Sequence, residues 1–118
     1  MTAPRGFQHD TDVLIRQVNN QLVTLRMSAG DREAGEREVV LAELVAAILR
    51  GLVIGTTQSS AADRARVRAA VHYFLRRRDV RHDRRPARSL ADDLRVVNRI
   101  AHDLGRDDLV VAHTSLVS

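Results

Sequence analysis

The chain has 118 residues, 44% of them apolar, no cysteine and a formal net charge of +4. That length holds one domain with a real but marginal core, and without cysteine it has neither disulfides nor thiolate metal sites. All nineteen basic side chains are arginine. GC-rich coding accounts for that bias more plainly than selection for bidentate guanidinium contacts does, so the placement of the arginines carries more information than their number.

Residues 1–9 hold Pro4 and Gly6 without periodicity and are expected to form a mobile tail, with 10–118 as a single helical domain. The opening MTAPRGFQHD has no apolar stretch of a secretory signal, so a cytoplasmic location is expected. Leu14, Val18, Leu22 and Leu25 then recur at helical spacing and predict a first helix over about 11–27, ended near Gly30. A second helix is expected from Asp31 to Gly51 or slightly beyond, with acidic residues at its positive end. From Val39 to Leu49 every residue except Glu43 is apolar, on all sides of the helix, which marks it as the central element. The wider stretch Val39 to Ile54 is 16 residues long and contains Glu43 and Arg50, too short and too charged for a membrane span of about 20.

Thr56 to Ser60 reads as a polar linker, and Ser60-x-x-Asp63 resembles a capping box at the start of a third helix over about 61–77. That helix turns Val67, Ala70, Val71 and Phe74 inward. Pro86 bars a helix through the connection that follows. Ser89-x-x-Asp92 opens a fourth helix of about 90–104, in which Leu90, Leu94, Val97, Ala101 and Leu104 form one stripe and Gly105 stops it. A short fifth helix is expected between Asp107 and Leu116. With no alternating strand pattern, the fold class is all-α, a small antiparallel bundle of four to five helices.

The charge is concentrated at one junction. Residues 76–88 read RRRDVRHDRRPAR, seven arginines against Asp79 and Asp83, a net +5 that exceeds the whole chain's +4. Arg76, Arg77, Arg78, Arg81, Arg84, Arg85 and Arg88 are therefore the candidate anion- and partner-binding residues. Clustered guanidinium groups suit carboxylates on an acidic protein surface, lipid headgroups at a membrane, or nucleic-acid phosphates. Only three aromatic residues occur, two of them in an apolar pattern, so a base-stacking platform is absent. The remaining alternative is a solvated loop in which Asp79 and Asp83 pair with their own neighbours.

No enzyme signature can be read. Glu43, alone among apolar residues, would titrate high if buried without a partner; facing an arginine or a wet helix edge is the plainer expectation. His82-Asp83 and His102-Asp103 are adjacent acid–base pairs, but no HExxH or comparable ligand spacing joins the five histidines. Thr56, Thr57, Ser59 and Ser60 lack a nucleophile-elbow context, and no glycine-rich phosphate loop follows Gly51 or Gly55. No catalytic residue, cofactor or metal is expected. The Leu90–Leu104 stripe spans too few heptads for an independent coiled coil and is assigned to the chain's own core.

Tyr73-Phe74-Leu75, Asp79, Asp83, Pro86 and Asp92-Asp93 stand at intervals that resemble the signature of the YkvA-like family, small helical proteins of unknown function. The likeness covers residues 73–93. It departs from the family pattern at Arg77, Arg81, His82 and Ser89, where an apolar, proline-containing turn has become basic. The resemblance implies a helical domain that often sits near membranes and supplies no catalytic residues. The expected function is a non-enzymatic binding or adaptor module; the alternative is a small helical subunit that follows an RNA or DNA backbone without reading sequence.

Overall fold

The computed structural model describes residues 4–29, 33–76 and 90–111. The described residues form four α-helices and one short 3-10 turn, with no strand among them. Helix α1 runs Pro4–Ala29, α2 Glu33–Gly55, α3 Ala61–Leu75 and α4 Leu90–Asp103; the 3-10 turn is Asp107–Leu109.

Helix α1 begins at Pro4 rather than at Thr11. Proline is favoured in the first helical turn, where its missing N–H costs no bond and its fixed φ suits the helix. The proline expected in a mobile tail thus starts the helix. Leu14, Val18 and Leu22 are buried as their spacing requires, and Gln21 joins them. The first turn of α2 comes very close to the end of α1. A Cβ added at Gly35 would overlap the backbone carbonyl of Ala29, so this approach needs glycine.

Helix α2 is the hub. It touches α1, α3 and α4, and Ala42, Val45, Ala46, Ile48, Leu49, Leu52 and Val53 are all buried. One edge stays open, along Val40, Glu43, Ala47 and Ile54. Cross-links fix how α1 lies on α2: Arg26 reaches Glu43 at 2.8 Å and Arg50 reaches Asn19 at 3.0 Å. As the α1 number falls, the α2 number rises by the same amount, so these two helices run antiparallel. Arg68 to Asp10 and Gln21 to Phe74 show α3 ascending beside α1 in the same sense.

Helix α3 is started by Ser60, whose hydroxyl accepts from the Asp63 N–H at 3.1 Å. This satisfies one of the free donors of the first turn. Its core face is Val67, Ala70, Val71 and Phe74, as the spacing predicts. Helix α4 ends in a Schellman motif. Arg106 N–H bonds the Ala101 carbonyl at 2.7 Å, Gly105 N–H bonds the His102 carbonyl at 3.0 Å, and Gly105 has φ +74°.

Where the expected fifth helix is described, from Asp107 to Val111, the chain forms a three-residue 3-10 turn; residues 112–118 lie outside the described residues. The segment is strapped down by side chains. Asn98 Nδ2 donates to the Val111 carbonyl at 2.8 Å and Asn98 Oδ1 accepts from Val111 N–H at 3.0 Å. Leu109 fits against Gly51, where a Cβ would come within 2.8 Å of its Cδ2. The Arg106 guanidinium lies against Gly55, at the negative end of the α2 dipole.

Two consequences can be measured by denaturant unfolding. Gly35→Ala is expected to lower stability, although a helical Gly→Ala change usually gains about 1 kcal/mol, because the Ala29 backbone must move; a more stable variant would contradict the close approach. Leu94→Ala, at a fully buried position, is expected to cost about 2–5 kcal/mol, and a loss below about 1 kcal/mol would show that its surroundings are not core.

Candidate anion-binding surface

One open groove, of about 790 Å³, lies where α3 meets the first half of α1 and the end of α2. Its floor is apolar, with Leu14 from α1, Val53 from α2 and Val67 from α3. The α3 wall has two rows. Ala61, Ala65 and Ala69 are small and exposed, and beside them Arg64, Arg68, His72 and Arg76 recur every fourth residue. Four residues are slightly more than one helical turn, so the four basic groups climb one side of α3 over about 18 Å. Among the residues lining the groove, Asp10 is the one carboxylate against three arginines.

These guanidinium groups are held in place from several directions. Arg64 donates to the Ser59 carbonyl, which ties it to the turn that starts α3. Arg68 meets Asp10 at 2.9 Å, both side chains half exposed, so the pair is screened and contributes little stability by itself. Arg76 caps α3 and is exposed at the groove's upper end. Thr56 and Thr57 turn their hydroxyls back to carbonyls of α2, Thr56 to Leu52 at 2.7 Å and Thr57 to Ile54 at 2.8 Å. That leaves the α2 end of the groove with methyl groups rather than free hydroxyls.

The sequence-predicted site is divided by this picture. Arg76 stands on the groove; Arg77, Arg78, Arg81, Arg84, Arg85 and Arg88 lie outside the described residues. So do His82, Asp79, Asp83, Pro86 and Ser89, and with them most of the YkvA-like spacing. Its flanks are described: Tyr73-Phe74-Leu75 is the last turn of α3, and Asp92-Asp93 opens α4. Arg64, Arg68 and His72 were not among the expected site residues. Their every-fourth spacing was present in the sequence, but the dense run after Arg76 drew the reading past it.

Glu43 lies on the open edge of α2 and pairs with Arg26 at 2.8 Å, its side chain 46% exposed. That is the plainer of its two expected environments. The buried carboxylate is instead Asp93, 1% exposed. Its sequence signal was its position three residues after Leu90 and four before Val97, inside the apolar stripe of α4. A carboxylate buried that deeply needs a hydrogen-bonding or charged partner, and Asp93 is engaged rather than free.

His102 does not pair with its neighbour Asp103. Its Nδ1 lies 2.6 Å from Asp107 in the 3-10 turn, and the hydrogen bond to Asp107, reinforced by that carboxylate's charge, raises its pKa above the ordinary imidazole value. Asp103 is taken by Arg66 at 2.6 Å and Arg99 at 3.2 Å. The Arg66 hydrogen bond is the main cause of its lowered pKa. Among the described residues, no three His, Asp or Glu side chains converge as a metal site would require, and no helix is long and apolar enough to cross a membrane.

The raised pKa of His102 sets a sign for pH. A group whose folded pKa exceeds its unfolded one contributes stability that is fully present below the ordinary imidazole value and is lost as the pH rises through the raised one. In an NMR titration His102 is expected to titrate above an unpaired histidine, and Asp107→Asn to bring it back down. An unchanged His102 pKa in that variant would show that the 2.6 Å contact is not made in solution.

Compared with protein-family models, curated proteins and solved structures, the chain matches none.

Proposed function

We propose that this chain is a non-enzymatic helical binding module that presents guanidinium groups to an anionic partner, in the first place the acidic surface of another protein. The carrying observation is the row Arg64, Arg68, His72 and Arg76, which ascends α3 and leads in sequence directly into the arginine run 77–88. The row and the run are continuous in sequence, and the run itself lies outside the described residues. The helices serve as the row's mount, arranged up and down as an antiparallel bundle, in the cytoplasm. The YkvA-like spacing of residues 73–93 agrees with a helical domain and adds no reacting group.

Guanidinium pairing with carboxylates is planar, bidentate and insensitive to pH across the physiological range. Single exposed pairs contribute only about 0.2–1 kcal/mol, so binding has to come from several acting together and to weaken with salt. Nucleic acid and anionic lipid headgroups are the other anions that such a row could meet, and salt separates nucleic acid from the rest. A polyphosphate releases about one counterion per phosphate neutralised and gives a steep log–log slope. A folded acidic protein gives a shallow one.

A capture experiment with and without nuclease identifies which class the chain takes from a lysate, and titration at several salt concentrations follows. The combined change Arg64→Gln, Arg68→Gln and Arg76→Gln is expected to lose about 0.6–3 kcal/mol of binding, the sum of three solvent-screened pairs, with the fold intact by circular dichroism. Unchanged affinity, or capture that disappears with nuclease, would overturn the protein-surface reading.

A further inference from the structure

We infer that the groove beside α3 is the seat of an acidic amphipathic helix belonging to the partner, a reading that rests on the proposed function and makes its partner specific. A purely electrostatic surface needs no cavity. Here the arginine row borders a cleft of about 790 Å³ whose floor is Leu14, Val53 and Val67. The ligand that satisfies both features has an apolar face and carboxylates along one side.

The wall geometry selects a helix as that ligand. Ala65 and Ala69 present only methyl groups, so a second helix can approach α3 closely and place its apolar side chains on the floor. Carboxylates spaced every three to four residues along that helix come level with Arg64, Arg68 and Arg76, which share the same periodicity. The basic row covers about 18 Å, or roughly three helical turns of partner. Asp10, held by Arg68 at 2.9 Å, is the groove's one acidic group, and a competing carboxylate from the partner exchanges with it.

Two other occupants fit less well. A second copy of this chain seated through the same face would set arginine row against arginine row, and like charges at close range oppose that contact. A nucleic-acid backbone matches the charge but has no apolar side to place on Leu14, Val53 and Val67. Stacked bases would need aromatic side chains, and Tyr73 is the one aromatic among the lining residues.

The test uses the full chain and four probes. The first is a synthetic peptide of about 18 residues, roughly 27 Å as a helix, with leucine on one face and glutamate flanking it. The others are a scrambled peptide of identical composition, polyglutamate, and a single-stranded RNA oligonucleotide. Affinities are read by fluorescence anisotropy. The amphipathic peptide is expected to bind at least about tenfold tighter than its scramble, since a tenfold ratio is the smallest clear preference. It should also shift the NMR amide signals of Leu14, Ala65 and Ala69.

Ala65→Leu and Ala69→Leu fill the cleft without changing charge. They are expected to abolish the preference while leaving polyglutamate binding unchanged. Both positions are exposed, so the fold should survive, and the wild-type amide shifts decide the matter if it does not. Equal binding of peptide and scramble, a preference that survives both leucines, or shifts elsewhere on the molecule overturns the inference while the proposed function stands. Binding of the RNA that these substitutions abolish assigns the cleft to nucleic acid instead and also overturns it. Failure of the peptide, the scramble and polyglutamate alike overturns both readings.

Discussion

The described helices are arranged around the removal of α2 from water. A helix that is apolar on every side cannot be satisfied by a single neighbour, because each flank left in water forgoes about 25 cal/mol per Å². Three helices are needed to surround it, and α1, α3 and α4 all touch it. Its one open edge is also the place where Glu43 meets Arg26. The groove follows from the same constraint. Where α2 ends at Gly55, the helices around it lose their common support, and a cleft is left between α1 and α3.

The chemistry of the surface is then a matter of which residues fall on which side of α3. Val67, Ala70, Val71 and Phe74 are committed to the core. That choice fixes the rotation of the helix and sends Arg64, Arg68, His72 and Arg76 along one outer flank. Basic side chains are tolerated there because water reaches them and because Asp10 offsets one of them. A fold that needed the inner face apolar thereby produced an ordered charged face at no further cost in sequence.

The helices were legible from periodicity, since a 3-4 apolar spacing records one buried side. Ser60 and Gly105 were legible because capping chemistry is local. What escaped the sequence depends on contacts that neither periodicity nor capping records. Pro4 fits a helix start as well as a tail, and Gly35 acquires its meaning only from Ala29. A fifth helix was expected between Asp107 and Leu116, yet in its described part Leu109 in the notch at Gly51 and Asn98 holding Val111 make a strapped turn. His102 meets Asp107 rather than the adjacent Asp103 because side chains of sequence neighbours point to different sides of a helix. The arginine row went unread because a denser signal began where it ended, and of the densest part Arg76 alone lies among the described residues.

Among the bonds that join α1 to α3, two differ in character. Gln21 reaches the Phe74 carbonyl at 3.2 Å from a buried position, where water cannot compete and salt does not screen. Asp10 and Arg68 meet at 2.9 Å in the open, where both act. The two helices are therefore clamped at one level and merely latched at the other. Rising ionic strength weakens the latch and spares the clamp, so salt acts on one end of the contact between α1 and α3 and leaves the other untouched.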